Sequence, residues 1–259
     1  MRIIPEALIA DLVSPEDAFS AVEACFAAMA RGEAYNFPVV REALGEGRQY
    51  GFKSGLDRAG GSLGVKAGGY FPGNAAKGII NHQSTVFLFD PETGQPTAMV
   101  GGGLLTALRT AAASALSIDR LARKDARVLG MVGAGHQAGF QLRAAAKVRR
   151  FDRVIAWNLH PEMLPKLGEV AAELGLPFEA VPLERMVEAD VIVTITSSPA
   201  TFRSTASSTW RRFQSSRGFT IHRMSSGATI RSPAALPSHQ VSQTEPYLSQ
   251  SEKPPSGLA

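Results

Sequence analysis

Val128-Leu129-Gly130-Met131-Val132-Gly133-Ala134-Gly135-His136-Gln137-Ala138 runs an apolar strand into a G-x-G-x-x-A turn and then into a helix. Gly133 permits the tight turn, and Gly135 lets the backbone approach a pyrophosphate. Ala138, in the third small position, lets the helix pack on the strand. A pyrophosphate would rest at the helix N-terminus, where amide N–H groups have no partner within the helix. The pattern alone is weak, because a glycine turn can be purely structural. Its setting strengthens it: a second strand, DRVIAWN, ends at Trp157-Asn158, about twenty residues on, where a ribose-reading side chain belongs. Asn158 departs from the acid usual there. It can bond a ribose hydroxyl but carries no charge to exclude a 2′-phosphate. The next residues, Leu159 and His160, supply no Arg for such a phosphate. NAD is therefore the favoured cofactor, with NADP left open.

Outward from this turn the chain alternates strand and helix. ARVLGMV is a strand, 136–149 a helix, DRVIAWN a strand, PEMLPKLGEVAAELG largely helical, PFEAVP a strand, LERMVEA a short helix and DVIVTIT a strand. Strict alternation with apolar strands predicts a parallel sheet covered on both faces.

Upstream, Ser14-Pro15-Glu16-Asp17 combines an N-cap Ser, Pro at the first helical position and acids in the first turn. A helix is expected over 14–31, with Phe19, Val22, Phe26 and Met29 on its apolar face. Residues 36–100 interleave Gly and aromatics with short apolar runs (YGFKSGL, LGVKAGGYF, STVFLFD), which predict strands joined by turns. Asp90-Pro91-Glu92-Thr93-Gly94 has hairpin-turn chemistry. Residues 104–122, rich in Ala and Leu, predict a long helix.

Bulk properties narrow the function classes. With 259 residues and 44% hydrophobic content the chain can bury a sizeable core. No run approaches the roughly eighteen apolar residues needed to span a bilayer. MRIIPEALIADL places acids where a signal peptide needs an uninterrupted apolar stretch, so no export and a cytoplasmic location are expected. The single cysteine, Cys25, excludes an internal disulfide and reads as a small apolar helix residue. His82 and His160 read as polar surface residues, and no His/Cys/Asp/Glu cluster has metal spacing. The net charge of +4 belongs to the tail: from residue 200 onward six Arg and one Lys face two Glu. The body thus has no basic stripe for nucleic acid.

Leu105-Thr106-Ala107-Leu108-Arg109-Thr110-Ala111-Ala112-Ala113-Ser114, followed by ARVLGMVGAGHQA, resembles the ornithine cyclodeaminase/μ-crystallin family over about residues 1–198. NFPVVRE, LGVKAGGYFPGN and NHQSTVFLFDPETG are most similar to its iminosuccinate reductase branch, which reduces an imine to aspartate with a nicotinamide cofactor. The resemblance implies an α/β chain. An α+β substrate and dimerisation domain would occupy 1–118 and a Rossmann-type NAD(P)-binding domain 119–199. A small amino or imino acid substrate and a homodimer are implied as well, with no nucleic-acid or membrane partner. It implies substrate roles for Arg41 and Lys66, with Lys66 catalytic, and places Arg109 between substrate and cofactor. Cofactor contacts are implied for Asn81, His136, Gln137, Asn158 and Thr196, beside Gly133 and Gly135. The chemistry is legible independently. A guanidinium fork matches a carboxylate, and a Lys in an apolar strand, as in Gly64-Val65-Lys66-Ala67, can have its pKa lowered and donate a proton. Each also has a plainer reading: Arg109 can snorkel from a helix, and Lys66 can guard a strand edge.

The family continues past the T-x-T strand with another strand, an acidic loop used in cyclodeaminase catalysis and a return to the substrate domain. Residues 200–259, dense in Ser and without Asp, match none of this. Their composition predicts disorder, a fold incomplete at its C-terminal side and an open sheet edge beyond DVIVTIT. A reading-frame shift near residue 200 or a divergent terminus would account for the change, and either would leave activity in doubt. Two other functions stay open: ornithine cyclodeamination, which needs the acidic loop, and cofactor binding without catalysis, as in a μ-crystallin-like protein.

Overall fold

The computed structural model describes residues 1–195 and the backbone of residues 219–224 and 227–231. The N-terminal half forms a seven-stranded sheet. Its strands are β1 (Arg2–Ile4), β2 (Ala34–Asn36), β3 (Val40–Gly45), β4 (Arg48–Asp57), β5 (Ser62–Tyr70), β6 (His82–Phe89) and β7 (Pro96–Gly101). The order is β1-β7-β6-β5-β4-β2, with β3 also on β4. β2 and β3 share one edge of β4, β2 beside Gly55–Asp57 and β3 beside Arg48–Phe52. All pairings are antiparallel except β1 with β7, which is parallel. The β6–β7 turn forms as its sequence predicts: the Asp90 carboxylate accepts the amides of Glu92 and Thr93 at 2.9 and 2.8 Å. Those amides hold its pKa below the usual value.

Helices α1 (Ile9–Leu12), α2 (Pro15–Ala30) and α3 (Gly103–Leu121) lie against one face of this sheet. The start of α2 is a full capping box. Asp17 N–H donates to Ser14 Oγ at 3.1 Å, and the Asp17 carboxylate accepts the Ser14 amide at 3.0 Å. Its apolar face differs from the expected one. Ala18 and Ala28 are buried, whereas Phe26 and Met29 are exposed. Phe19 and Val22 pack, partly buried, against Ala18, Leu108 and Ala112 as expected, so the apolar face holds in the first half of α2 and is lost at Phe26 and Met29. α3 begins under a cap that is remote in sequence, the Glu6 carboxylate accepting the Gly103 and Leu104 amides at 3.0 and 2.6 Å.

The second half is a parallel sheet made of β8 (Val128–Val132), β9 (Arg153–Trp157), β10 (Phe178–Ala180) and β11 (Val191–Thr194). Their spatial order β10-β9-β8-β11 is that of a Rossmann-type unit, with the topological switch between β8 and β11. α4 (Ala138–Val148) and α5 (Leu164–Glu173) cover one face through Leu142, Ala145, Leu167 and Ala171. A 3-10 turn at Leu183–Glu188 covers the other with Leu183 and Met186. α3 joins the two halves. Its Ile118 sits in the core of the second sheet, while its Leu104 and Leu105 pack on the first.

Beyond β11 the structure departs from the expectation of an open edge. β12 (Phe219–Met224) runs parallel to β11, pairing Phe219 to His222 with Val191 to Thr194, and β13 (Gly227–Arg231) runs antiparallel to β12. FTIHRM alternates apolar and polar residues, and the edge of β11 offers a row of backbone partners. That local pattern is what a composition-based reading of the segment overlooks. Thr196 lies outside the described residues. No helix among the described residues is long and apolar enough to cross a membrane.

Candidate functional site

Two clusters of candidate residues lie on either side of α3. The first is the glycine turn at the C-terminal end of β8. Gly133 has φ 110°, a conformation costly for any side chain, and its amide donates to Trp157 O at 2.8 Å. The next amide, of Ala134, donates to Asn158 Oδ1 at 3.2 Å, and Asn158 Nδ2 donates to the His160 carbonyl at 2.8 Å. Asn158 therefore ties the glycine turn to the loop after β9, a role its neutral amide performs with both ends. α4 starts at Ala138 rather than at His136. His136 and Gln137 belong to the turn, and among the described residues the amides of Gly135, His136 and Gln137 reach no backbone acceptor. The imidazole of His136 rests on Phe140, ring centres 5.7 Å apart.

This turn passes a test of fit for a dinucleotide. A Cβ built on Gly135 would meet nothing within 4 Å, so the turn opens onto free space. The Gln137 side-chain oxygen is buried with no hydrogen-bond partner among the described residues. Buried polar atoms are rarely left so, and a ligand donor would satisfy this one. The site also stands at the sheet's switch point, outside the strand ends, where open α/β sheets bind ligands.

The second cluster lies on the helix-covered face of the first sheet. Lys66, on β5, donates from Nζ to Thr106 Oγ1 on α3 at 3.3 Å, and the Thr106 hydroxyl donates in turn to Gly102 O at 2.6 Å. The hydroxyl proton is thus committed to the helix, leaving its lone pairs for the ammonium. Register puts Lys53 of β4 directly opposite Lys66, and Arg41 of β3 opposite Gly51, two residues from Lys53. Since alternate residues share a face, Arg41, Lys53 and Lys66 form a cationic diagonal across three strands. Ser84 of β6, opposite Gly68, adds a hydroxyl to that face.

Arg109 follows Thr106 by one helical turn and is exposed. It lines a cleft between α2 and α3 with Val13, Asp17, Val22 and Cys25. The Cys25 thiol is pushed up by burial and by the Asp57 carboxylate. Asn81 directly precedes β6. Its Oδ1 accepts the Ala75 amide at 2.9 Å and its Nδ2 reaches the Tyr70 hydroxyl at 3.5 Å, which fixes the 3-10 turn at Pro72–Lys77. The structure thus brings Lys66 and Arg41 onto one face, and Gly133, Gly135, Gln137 and Asn158 into one turn. Thr106, Lys53, Ser84 and Glu6 were not singled out from sequence. Only Thr106 had a visible signal there, its place one turn before Arg109.

The model of the ornithine cyclodeaminase/mu-crystallin family matches residues 6–209. The chain is 66% identical over 200 residues to an iminosuccinate reductase of Paracoccus denitrificans, covering 76% of this chain and 62% of that protein. The crystal structure of that reductase in complex with NAD+ matches with a TM-score of 0.71 at 65% identity, over 76% of this chain and 62% of the other. An archaeal alanine dehydrogenase, solved as a dimer with bound NAD, matches with a TM-score of 0.71 at 31% identity, over 76% and 60%. The chain therefore spans less than two thirds of the length of these relatives.

Proposed function

The chain belongs to the ornithine cyclodeaminase/mu-crystallin family, and on that premise we propose that it is a nicotinamide-dependent reductase that converts a small imino acid, of the iminosuccinate type, into the amino acid. The observation that carries this reading is the Lys66–Thr106 hydrogen bond, set on the same sheet face as Arg41 and under the helix that continues into the dinucleotide-type unit. The 66% identity to the Paracoccus denitrificans enzyme supports the substrate class.

NAD would be held by Gly133, Gly135, His136 and Gln137, with Asn158 bracing the turn and Thr196 following β11. NADP is not excluded by charge at Asn158. When bound, the nicotinamide supplies the hydride. The protein's own groups do the rest. Arg41 takes a substrate carboxylate, for which its planar fork is suited. Arg109, one helical turn after Thr106 on α3, would hold the carboxylate nearer the cofactor. Lys66, steered by Thr106, delivers a proton to the imine nitrogen as it becomes an amine.

The working unit is a homodimer acting in the cytoplasm. The sheet face away from the helices carries Tyr35, Val40, Tyr50 and Phe52 on the neighbouring strands β2, β3 and β4, all at least 39% exposed, and apolar surface of this kind marks an association site. The dimer recorded for the archaeal alanine dehydrogenase supports a second copy as its occupant.

The test is consumption of NADH in the presence of oxaloacetate and ammonium, which form iminosuccinate in solution. Turnover that falls about a hundredfold or more in Lys66→Ala supports the reading. Binding of NADH with no turnover of any imine would leave a cofactor-binding protein instead.

A further inference from the structure

Glu6 follows shortly after β1. β1 runs parallel to β7, with Ile4 beside Val100, and this brings Glu6 against the Gly101-Gly102-Gly103 segment that joins β7 to α3. A Cβ on Gly101 would meet Glu6 Cα and N at 2.6 and 2.7 Å, and one on Gly103 would meet Glu6 Oε1 at 2.7 Å. Two side chains are thus left out so that one carboxylate can reach the first amides of α3, Gly103 at 3.0 Å and Leu104 at 2.6 Å. From the strand side, the Gly102 amide donates to Ser84 O at 2.9 Å. Between these two holds lies the Gly102 carbonyl. It accepts the Thr106 amide at 3.0 Å and the Thr106 hydroxyl at 2.6 Å. That hydroxyl is in turn the acceptor for Lys66 Nζ. An unbroken line of hydrogen bonds and backbone therefore runs from Glu6 to the ammonium. α2 is capped from its own sequence by Ser14 and Asp17. Gly102 at the start of α3 has no side chain to give, so the start of that helix, one turn before Thr106, is set by a residue of another element.

We propose that Glu6 is a positioning residue: by fixing the first turn of α3 it aims the Thr106 hydroxyl at Lys66 and holds the ammonium in place for proton delivery. This rests on the reading of Lys66 as the proton donor.

The test is trace acetylation with acetic anhydride, read by mass spectrometry as the rate at Lys66 relative to the exposed Lys166 of α5. A hydrogen bond donated by an ammonium favours its charged, unreactive form, so release of Lys66 raises its rate. Glu6→Ala should raise it about two- to tenfold, the worth of one net hydrogen bond. Thr106→Val should do the same, and the double variant should exceed neither single one, because both substitutions break the same line. Glu6→Gln keeps an oxygen for the amides and should restore most of the unaltered rate. Gly103→Ala leaves Glu6 in the chain but displaces its carboxylate, and it should raise the Lys66 rate although Ala is the better helix former. Circular dichroism checks the fold of each variant. Where turnover is measured, Glu6→Ala should lower kcat and leave NADH affinity unchanged. A Lys66 rate unchanged in both Glu6→Ala and Gly103→Ala, or effects of Glu6→Ala and Thr106→Val that add in full, would overturn the proposal and leave Glu6 a plain helix cap. The labelling needs no turnover, so the two readings fail separately: full activity in Lys66→Ala would end the role of Lys66 as proton donor, whatever the labelling shows of Glu6.

Discussion

At the scale of single residues, each site depends on one atom that is absent and one that is fixed. The absent atom is the Cβ of Gly135, whose place opens onto free space. Gly135→Val would put a branched side chain into the space proposed for a pyrophosphate, with little cost to the fold because nothing stands near. NADH affinity measured by fluorescence titration should fall severely while the melting temperature holds, and unchanged affinity would remove the turn from the cofactor site. The fixed atom is Lys66 Nζ, held by a Thr106 hydroxyl whose own proton is given to Gly102 O. Thr106→Val removes that acceptor at nearly constant shape. A net hydrogen bond is worth about 0.5–1.5 kcal/mol, so kcat should drop up to about tenfold with NADH binding unaltered, and Thr106→Ser should recover it. A fall in NADH affinity in place of kcat would mean that Thr106 supports the cofactor turn instead. Gly133 and Gly135 were legible because a turn between a strand and a helix leaves a local signature. Lys53 was not: that it faces Lys66 follows from strand register, which YGFKSGL and LGVKAGGYF do not state singly.

Among the elements, the helices read best where their signals are local. Ser14-Pro15-Glu16-Asp17 announces α2, and the capping box follows. The same box makes a prediction about acid. The Ser14 hydroxyl and amide hold the Asp17 carboxyl below its ordinary value. A carboxyl whose folded pKa is depressed stabilises the fold above its unfolded pKa of about 3.9, and that contribution is lost as pH falls through the folded value. The difference in melting temperature between the unaltered chain and Asp17→Asn should be present at neutral pH and close as pH falls below about 4. A difference independent of pH would show that the charge of Asp17 contributes nothing to the cap. α3 is the contrary case. Its composition predicts a helix but not where it starts, because its cap is Glu6, 97 and 98 residues away from the amides it accepts. β1 escaped notice for a similar reason: three residues beside β7 take their meaning from a distant strand. The parallel strands β8, β9 and β11, by contrast, are largely apolar runs separated by helices, and that alternation is enough to predict a parallel sheet. β12 corrects the view that residues after β11 lack strand-forming pattern, since the edge of β11 selects FTIHRM as its neighbour.

For the whole molecule, α3 is the structural link between the sheet face and the glycine turn, and an apolar sheet face waits on the other side. Phe52→Glu, on that outer face at 40% exposure, should convert a dimer into a monomer in light scattering without unfolding it, because the substituted side chain leaves no internal cavity. A monomer in the unaltered chain, or a dimer that survives the charge, would assign the face to another partner. The family was legible from the pairing of LTALRTAAAS with the glycine turn, whereas the gathering of Arg41, Lys53 and Lys66 on one sheet face needed the register of three strands. The central claim, hydride delivery to a carboxylate-bearing imine, is tested most directly with NADH deuterated at nicotinamide C4, incubated with the chain, oxaloacetate and ammonium. The account predicts aspartate carrying deuterium at its α-carbon, with the label lost in Lys66→Ala. Bound NADH with no labelled aspartate, or label in an alcohol product with aspartate unlabelled, would contradict it.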